Sequence, residues 1–509
     1  MHTLRLALRT TKYDERILEK RFHALSHIHN VLVKHARILM EALDRDTEYQ
    51  ALRREYIGLL AAEKNSEKET PEVRKLKKEL SSQMSAIRTG TGLSEYDLQS
   101  YIRVSGKQFT KCLSSQQIQK EATHVWKGVE KVLFGDGKKL HFKKYENFNT
   151  VSGKSNLNGA RFDRKTFSVQ WLGMILPCRK PRTVKEQEYV EKALSDDISY
   201  CDIERKMFPN GWHYYVILVL KGDAPRKISA PGKGTMGIDP GTSTIAAVSD
   251  TKAVLQELAP DARRYNRRIV KLQRYMDASK RNSNPAKYNP DGTIKKENRD
   301  RWVFSRTYQK NRRKLRTLYR KKTAYIKQSH EELCNELILD SVEFIVEDMS
   351  YKSLQKKSKN TERSDTVSEI RKSDGTVAEV RKYKRKKRFG RSLNSRAPAM
   401  FLQILERKCV LYGGRLLKAE TKSFCASQYD HVSDTFTKVP LSQRHKEIGG
   451  NTVQRDLYSA WLLKNADSTL KHTDRAKCVE GFERFLLLQN ELIKTMKQNH
   501  ITMKQCFGF

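Results

Sequence analysis

The sequence predicts a multidomain α+β protein: a small β-barrel with a helical insertion, followed by an α/β domain. Three observations predict it. Apolar residues alternate with a period of two in 2–9, take a helical period from about 14 to 134, and return to strand patterning in 138–225. A Pro/Gly/Lys-rich stretch, 226–234, then reads as a linker. Beyond it lies a nearly continuous apolar run, Phe344-Ile345-Val346, as expected of a strand buried on both faces. A chain of 509 residues exceeds one compact core, and about 100–200 residues per domain suggests three or so.

Taken in order, residues 2–9 alternate as a first strand. The helical insertion includes one helix with Pro71 at its first position and Val73, Leu76, Leu80, Met84 and Ile87 along one face. Another starts near Ser115 and carries Ile118, Ala122, Val125, Trp126 and Val129. Strand signals resume in Phe167–Trp171 and Trp212–Leu220, and with residues 2–9 these are expected to close the barrel. Trp171 and Trp212 read as its core. His23 and His27, four apart on a helix, have no matching ligands and read as ordinary surface or core residues. After the linker, a short strand carries Met236, Ile238 and Asp239. Long basic helices over 260–276 and 302–339 predict a hairpin arm, with a turn at Asn289-Pro290-Asp291-Gly292. Residues 351–395 read as a polar, mobile segment. Pro398 opens a helix that Gly413-Gly414 ends, and Leu416-Leu417 reads as a further strand.

Charge narrows the function. Lys and Arg number 100 against 59 Asp and Glu, a net charge of +41. Such an excess repels itself in a compact state unless a polyanion neutralises it, which points to nucleic acid. No run of 18 apolar residues is present, so no spanning helix and no membrane partner are expected. The amino-terminal residues do not read as a signal peptide, and the eight scattered cysteines fit a reducing compartment; a cytoplasmic protein, nucleoid-associated when bound to DNA, is expected. There is no Gly-rich Lys-Ser/Thr phosphate loop.

Three acids stand in special contexts. Asp239 lies in Gly237-Ile238-Asp239-Pro240-Gly241, where the small flanks permit close approach of substrate or backbone. Glu347 closes the apolar strand. Asp456 opens the helical pattern Arg455-Asp456-Leu457-Tyr458-Ser459-Ala460-Trp461-Leu462. Carboxylates far apart in sequence can together hold hard cations, and two magnesium ions about 4 Å apart activate water and stabilise the leaving oxygen in phosphodiester cleavage. Asp348 could serve in place of Glu347, but alternation lets only one of the two face the same side.

The ordered set Gly237-Ile238-Asp239-Pro240-Gly241, Ile345-Val346-Glu347-Asp348-Met349 and Arg455-Asp456-Leu457 resembles the split RuvC motifs of TnpB proteins, transposon-encoded RNA-guided DNA nucleases to which compact type V CRISPR effectors are similar. The resemblance implies that Asp239, Glu347 and Asp456 bind catalytic Mg²⁺, with Mn²⁺ as a substitute. It implies a wedge barrel from 1–13 and 136–230, and a helical recognition lobe at 14–135. It also implies an RNase H-like (RuvC) nuclease domain at 231–420 and 451–509, with the basic hairpin at 255–339. The implied partners are a guide RNA from a flanking transposon or CRISPR locus and duplex target DNA, read beside a short adjacent motif. A monomer is expected, with a dimer left open. An RNA-guided repressor that binds without cutting, and a guide-independent nuclease of the RNase H or resolvase sort, are the alternatives.

The chain departs from that family at 421–450, where two Cys-x-x-Cys knuckles are expected. The first is reduced to Cys425-Ala426-Ser427-Gln428, and the second is missing from 438–450. Cys425, His431 and His445 make a poor tetrahedral set, so structural zinc is not expected. Nucleic-acid contacts are expected from Lys107, Lys111, Lys138, Lys139, Lys143 and Lys144 in the first half. Further contacts are expected from Arg381, Lys382, Lys384, Arg385, Lys386, Lys387, Arg388 and Arg391, eight basic residues within eleven positions, and from Lys438, Arg444 and Lys446.

Overall fold

The computed structural model describes residues 1–63, 71–134, 137–208, 210–290, 292–295, 297–355, 363–371, 377–383, 389–440, 442–501 and 506–509. It divides into two units, Met1–Pro225 and Arg226–Phe509.

The first unit opens with strand β1 (His2–Ala7) and helices α1 (Lys12–Arg45), α2 (Thr47–Glu63), α3 (Pro71–Gly90), α4 (Glu95–Gly106) and α5 (Ser115–Leu133). Strands β2 (Thr150–Ser152), β3 (Ala160–Asp163), β4 (Ser168–Trp171) and β5 (Met174–Pro177) follow, then helix α6 (Val184–Leu194) and strands β6 (Ile198–Phe208) and β7 (Gly211–Leu220). Helix α1 starts where it does because Thr11 and Asp14 form a reciprocal capping box: the Asp14 amide donates to Thr11 Oγ1 at 3.1 Å and the Thr11 amide to Asp14 Oδ2 at 2.8 Å. Its Leu18, Phe22, Leu25 and Leu32 share one core with Val125 and Val129 of α5 and with Leu4, Val216 and Leu218 of the strands. Buried Arg21 ties helix to sheet by donating to the carbonyls of Trp171 (2.8 Å) and Leu172 (2.9 Å).

The expected barrel does not form. The strands make two open sheets, a four-stranded one in the order β1-β7-β6-β2 and a three-stranded one in the order β3-β4-β5. Among the described residues a bridge from Leu8 to Cys178 links their corners. Closure would need a full edge-to-edge ladder, and β2, only three residues long, offers little of one. Helices α1 and α5 cover the apolar inner face instead, as their shared core shows. The tryptophans expected in a barrel core serve this one: Trp171 is buried, and Trp212, partly buried, packs against the core with the fully buried Arg205 guanidinium 4.1 Å from its ring.

The second unit carries strands β8 (Gly234–Pro240), β9 (Thr244–Val248) and β10 (Ala253–Glu257), then the long helices α7 (Ala262–Asn282) and α8 (Arg306–Ile338), strand β11 (Ser341–Glu347) and helix α9 (Tyr351–Gln355). A two-stranded hairpin, β12 (Arg363–Arg371) and β13 (Val377–Tyr383), occupies part of the segment expected to be mobile. After it come helices α10 (Gly390–Arg396) and α11 (Pro398–Leu411), strand β14 (Arg415–Ala419) and helix α12 (Thr421–Phe424). The short hairpins β15 (Tyr429–Asp430) with β16 (Thr435–Phe436) and β17 (His445–Ile448) with β18 (Asn451–Gln454) follow, then helices α13 (Arg455–Lys464) and α14 (Arg475–Gln498).

The central sheet runs β10-β9-β8-β11-β14, antiparallel through its first three strands and parallel from β8 to β11 to β14. Parallel neighbours need long crossovers, and α8 and α11 lie in them. Alternation sorts the side chains. Met236, Ile238, Phe344 and Val346 enter a core with Leu333 and Leu337 of α8 and Phe401 and Leu405 of α11. Ala246, Val248 and Ile345 enter the opposite core with Leu457, Tyr458, Ala460 and Trp461 of α13 and Phe485 of α14. The sheet is therefore sandwiched between helices, and β11 is the inner strand that its apolar run predicts. Among the described residues no helix is long and apolar enough to cross a membrane.

Candidate functional site

Asp239 and Glu347 are brought together by register. Strand β11 pairs with β8 in parallel, with Ile345 opposite Gly237 and Val346 opposite Ile238. One step further along both strands lie Glu347 and Asp239, on neighbours about 4.8 Å apart. Because Ile238 and Val346 point to the α8/α11 core, alternation turns Asp239 and Glu347 to the other face, the one that α13 covers.

Asp456 reaches that face through helix α13. Gly237 lets the helix come in: a Cβ there would fall on the Ala460 carbonyl oxygen and the Lys464 amide. From this contact, Asp239 lies two residues along the strand, about 7 Å, and Asp456 four residues back along the helix, about 6 Å. The close approach for which small residues flank Asp239 is thus an approach of backbone. The amino end of α13 is fixed by Gln454, whose Oε1 accepts from the Leu457 amide at 2.7 Å, while the Gln454 amide donates to Gln489 of α14 at 2.8 Å.

The electrostatics agree with this convergence. Burial pushes the Asp239 carboxyl well above the usual carboxylate range, and Asp456 and Glu347 push it further; Arg455 and Arg444 oppose the rise. Burial also raises Glu347, against a hydrogen bond from the Ala426 backbone amide. Tyr351 stands beside Asp239, its hydroxyl donating to the Pro240 carbonyl at 3.3 Å, and burial with the neighbouring Asp239 raises its phenol. Asp348, the other acid at the strand end, uses its amide on the Ala419 carbonyl (3.0 Å), and its own carbonyl accepts from Thr421 Oγ1 (2.9 Å).

Two arginines hold Asp456. Arg455 donates to Oδ1 from Nη2 at 3.0 Å and from Nε at 3.2 Å, and Arg444 Nη1 lies 3.3 Å from Oδ2. Arg455 is itself pinned to the Gln443 carbonyl at 3.0 Å. Among the described residues no group of three His, Cys, Asp or Glu side chains stands ready as a metal shell. The donor chemistry nonetheless suits a hard divalent cation. All three groups are carboxylates, and the repulsion that raises the proton affinity of Asp239 is the repulsion a divalent cation would relieve. Asp456 must exchange its guanidinium partners to join such a shell. Sequence reasoning missed this clamp, although Arg455 beside Asp456 and Arg444 eleven residues earlier were there to be weighed.

The expected basic contacts divide by placement. Lys107, Lys111, Lys138, Lys139, Lys143, Lys144 and Lys438 are at least largely solvent-facing at the surface. Arg444 is turned to Asp456. Lys446 is buried, and burial, reinforced by Arg455, lowers its ammonium to about 8. Arg381 and Lys382 lie in β13 and Arg391 in α10. Lys384, Arg385, Lys386, Lys387 and Arg388 lie outside the described residues.

In the segment where zinc knuckles would stand, hydrogen bonds and ring packing hold the chain. His431 is buried, with Nδ1 2.8 Å from the Tyr458 hydroxyl and its ring against Trp461 and Phe482. The Cys425 thiol lies against the Lys422 carbonyl at 3.3 Å. Burial lowers the His431 imidazole, so its contribution to stability is full above the ordinary value of 6.5 and is lost as pH falls below it. His431→Ala is expected to cost about 3 kcal/mol in chemical denaturation, the range for removing a large buried ring, and to flatten the acid limb of the stability profile.

No family model matches the chain, and no curated protein matches it. Among solved structures, it is similar to a Cas12f1–sgRNA–target DNA complex, with a TM-score of 0.42 and 10% identity over 91% of this chain and 98% of that one. It is also similar to a CRISPR-Cas12f ternary complex, with a TM-score of 0.27 and 11% identity over 91% of this chain and 99% of that one. Likeness at this level decides neither fold nor function.

Proposed function

We propose that the chain is an RNA-guided, magnesium-dependent DNA endonuclease, which recognises a short motif beside a guide-matched duplex and hydrolyses phosphodiester bonds. The observation that carries this reading is the placement of Asp239, Glu347 and Asp456 on one face of the central sheet, with Asp239 raised by burial and then by the other two. The motif resemblance, the mixed five-stranded sheet sandwiched by helices and the net charge of +41 support it.

Asp239, Glu347 and Asp456 would hold magnesium or manganese, which activates water and stabilises developing charge in phosphodiester hydrolysis. The chain's own residues set the conditions. Asp239 must lose its proton for a cation to bind, so cation affinity is expected to rise with pH through the raised carboxyl value. Arg444 and Arg455 hold Asp456 in its absence. Arg444→Ala frees one oxygen of Asp456 and removes a nearby positive charge. It is expected to lower the Mg²⁺ concentration needed for thermal stabilisation by about five-fold, the equivalent of about 1 kcal/mol. An unchanged midpoint would show that the clamp does not compete with the cation.

The test of function is expression with the native flanking DNA, sequencing of RNA that copurifies, and challenge with a randomised duplex library. Guide-matched cleavage with a common adjacent motif is expected. Equal cleavage without RNA would select the guide-independent nuclease. Guided binding without cutting would select the repressor.

A further inference from the structure

Nearly half of the excess charge lies in the α7/α8 hairpin. Residues 262–327 hold 23 Lys or Arg against four Asp or Glu, a net of +19 out of +41. Residues 306–327 of α8 contain ten basic residues and no acid. The base of the hairpin is anchored: Ile269 and Met276 of α7 and Ile326, Leu333 and Leu337 of α8 are buried. Helix α8, at 33 residues, is about 50 Å long, so its far end stands well away from strand β11, which follows it.

That far end is built rather than slack. Asn284, 7% exposed, donates to the Lys280 and Val303 carbonyls and accepts from the Val303 amide, each at 2.8 Å. Lys287, 4% exposed, is held by Asn298 at 2.9 Å. The Trp302 ring has Lys280 Nζ 3.9 Å and Lys287 Nζ 5.0 Å from its centre, with Tyr288 packed edge-on. This knot fixes the chain that leaves it. Phe304 is 37% exposed and stacks on Tyr308, with ring centres 4.6 Å apart and planes 22° apart. Tyr275 on α7 is 58% exposed, and Tyr319 on α8 is 43% exposed.

Open rings set among arginines and lysines match one chemistry closely. Phosphates are drawn by the charge, while unpaired bases offer flat faces to the rings; a duplex, with its bases already stacked, uses the charge alone. We propose that the α7/α8 hairpin is a holding arm for an unpaired nucleic-acid strand, its phosphates on the exposed α8 basic residues, among them Lys310, Arg312 and Arg313, and its bases stacked on Phe304, Tyr319 and Tyr275. The proposal deepens the nuclease reading and rests on its nucleic-acid partner, but not on catalysis.

The test is fluorescence anisotropy on the full chain with EDTA present, using a dT strand of about 30 nucleotides and a duplex of the same length. Phe304→Ala with Tyr319→Ala and Tyr275→Ala is expected to weaken the single strand ten-fold or more, leaving duplex affinity and the salt slope unchanged. Lys310→Ser with Arg312→Ser and Arg313→Ser is expected to reduce the single-strand salt slope by about two. Both sets lie at the surface, and unchanged melting temperatures would confirm intact folds. Equal losses for strand and duplex in the aromatic variant, or no loss at all, would overturn stacking. An unchanged slope in the basic variant would overturn phosphate contact. Because EDTA removes hydrolysis from the readout, failure here is separate from failure of the nuclease reading, which Asp239→Ala tests.

Discussion

Asp239→Ala is expected to abolish metal-dependent cleavage while guided binding persists. Asp239 is the carboxylate on which both others act, and losing a metal ligand removes several kcal/mol of transition-state stabilisation, on the order of 10³-fold in rate. Binding is expected to survive because the variant removes an acid and leaves every Lys and Arg of the chain in place. The isosteric Asp239→Asn gives a second readout with an opposite sign. A carboxyl raised in the fold lends stability that is present below its unfolded value near 3.8 and is lost as pH rises through the folded value. As pH rises above 3.8 the metal-free protein progressively loses that contribution. Asp239→Asn is therefore expected to raise the metal-free melting temperature near pH 7 and to abolish further stabilisation by Mg²⁺. Retained cleavage in the Ala variant would remove Asp239 from the machinery, and an unchanged Mg²⁺ response in the Asn variant would remove it from the metal site.

Gly237→Ala is expected to have the largest structural effect of any single methyl added to the sheet face that carries Asp239. The added carbon meets backbone on both sides, the Ala460 carbonyl and the Lys464 amide, and backbone cannot rotate away as a side chain does. Helix α13 must lift from β8, which loosens Leu457, Ala460 and Trp461 from their core and moves Asp456 away from Asp239. A loss of about 3 kcal/mol or more in urea denaturation is expected, with a weakened Mg²⁺ response in whatever protein still folds. Gly241→Ala is the control. Its Cβ would meet Thr244 Oγ1 at 3.1 Å and the Thr244 carbonyl at 3.2 Å, contacts that a small shift relieves, and it is expected to stay within about 1 kcal/mol of the parent. If Gly237→Ala proved as stable as Gly241→Ala, the intimate helix–strand contact would not be what places Asp456.

The three acids were legible because each carries a local signature. Glycines bracket one, an apolar strand ends on another, and a helical pattern begins at the third. The β11 strand was legible for the same reason: continuous apolar sequence needs cover on two faces. The β12–β13 hairpin was not, since its apolar residues are few within a polar stretch, and Val367 and Val377 are exposed. The roles of Arg444 and Lys446 were obscured by their type. A basic residue in a basic chain reads as a surface contact until the fold buries one and sets the other on Asp456.

Alternation, turn residues and charge are local quantities, so the sequence by itself determined most of the strands and helices, the large basic excess and the acids worth watching. Barrel closure, the arginine clamp on Asp456 and the entry of α13 over Gly237 depend on which distant segments meet. Only the tertiary structure decided these, because edge pairing and backbone contact are set by packing between segments up to hundreds of residues apart, which leaves no periodic trace in either partner.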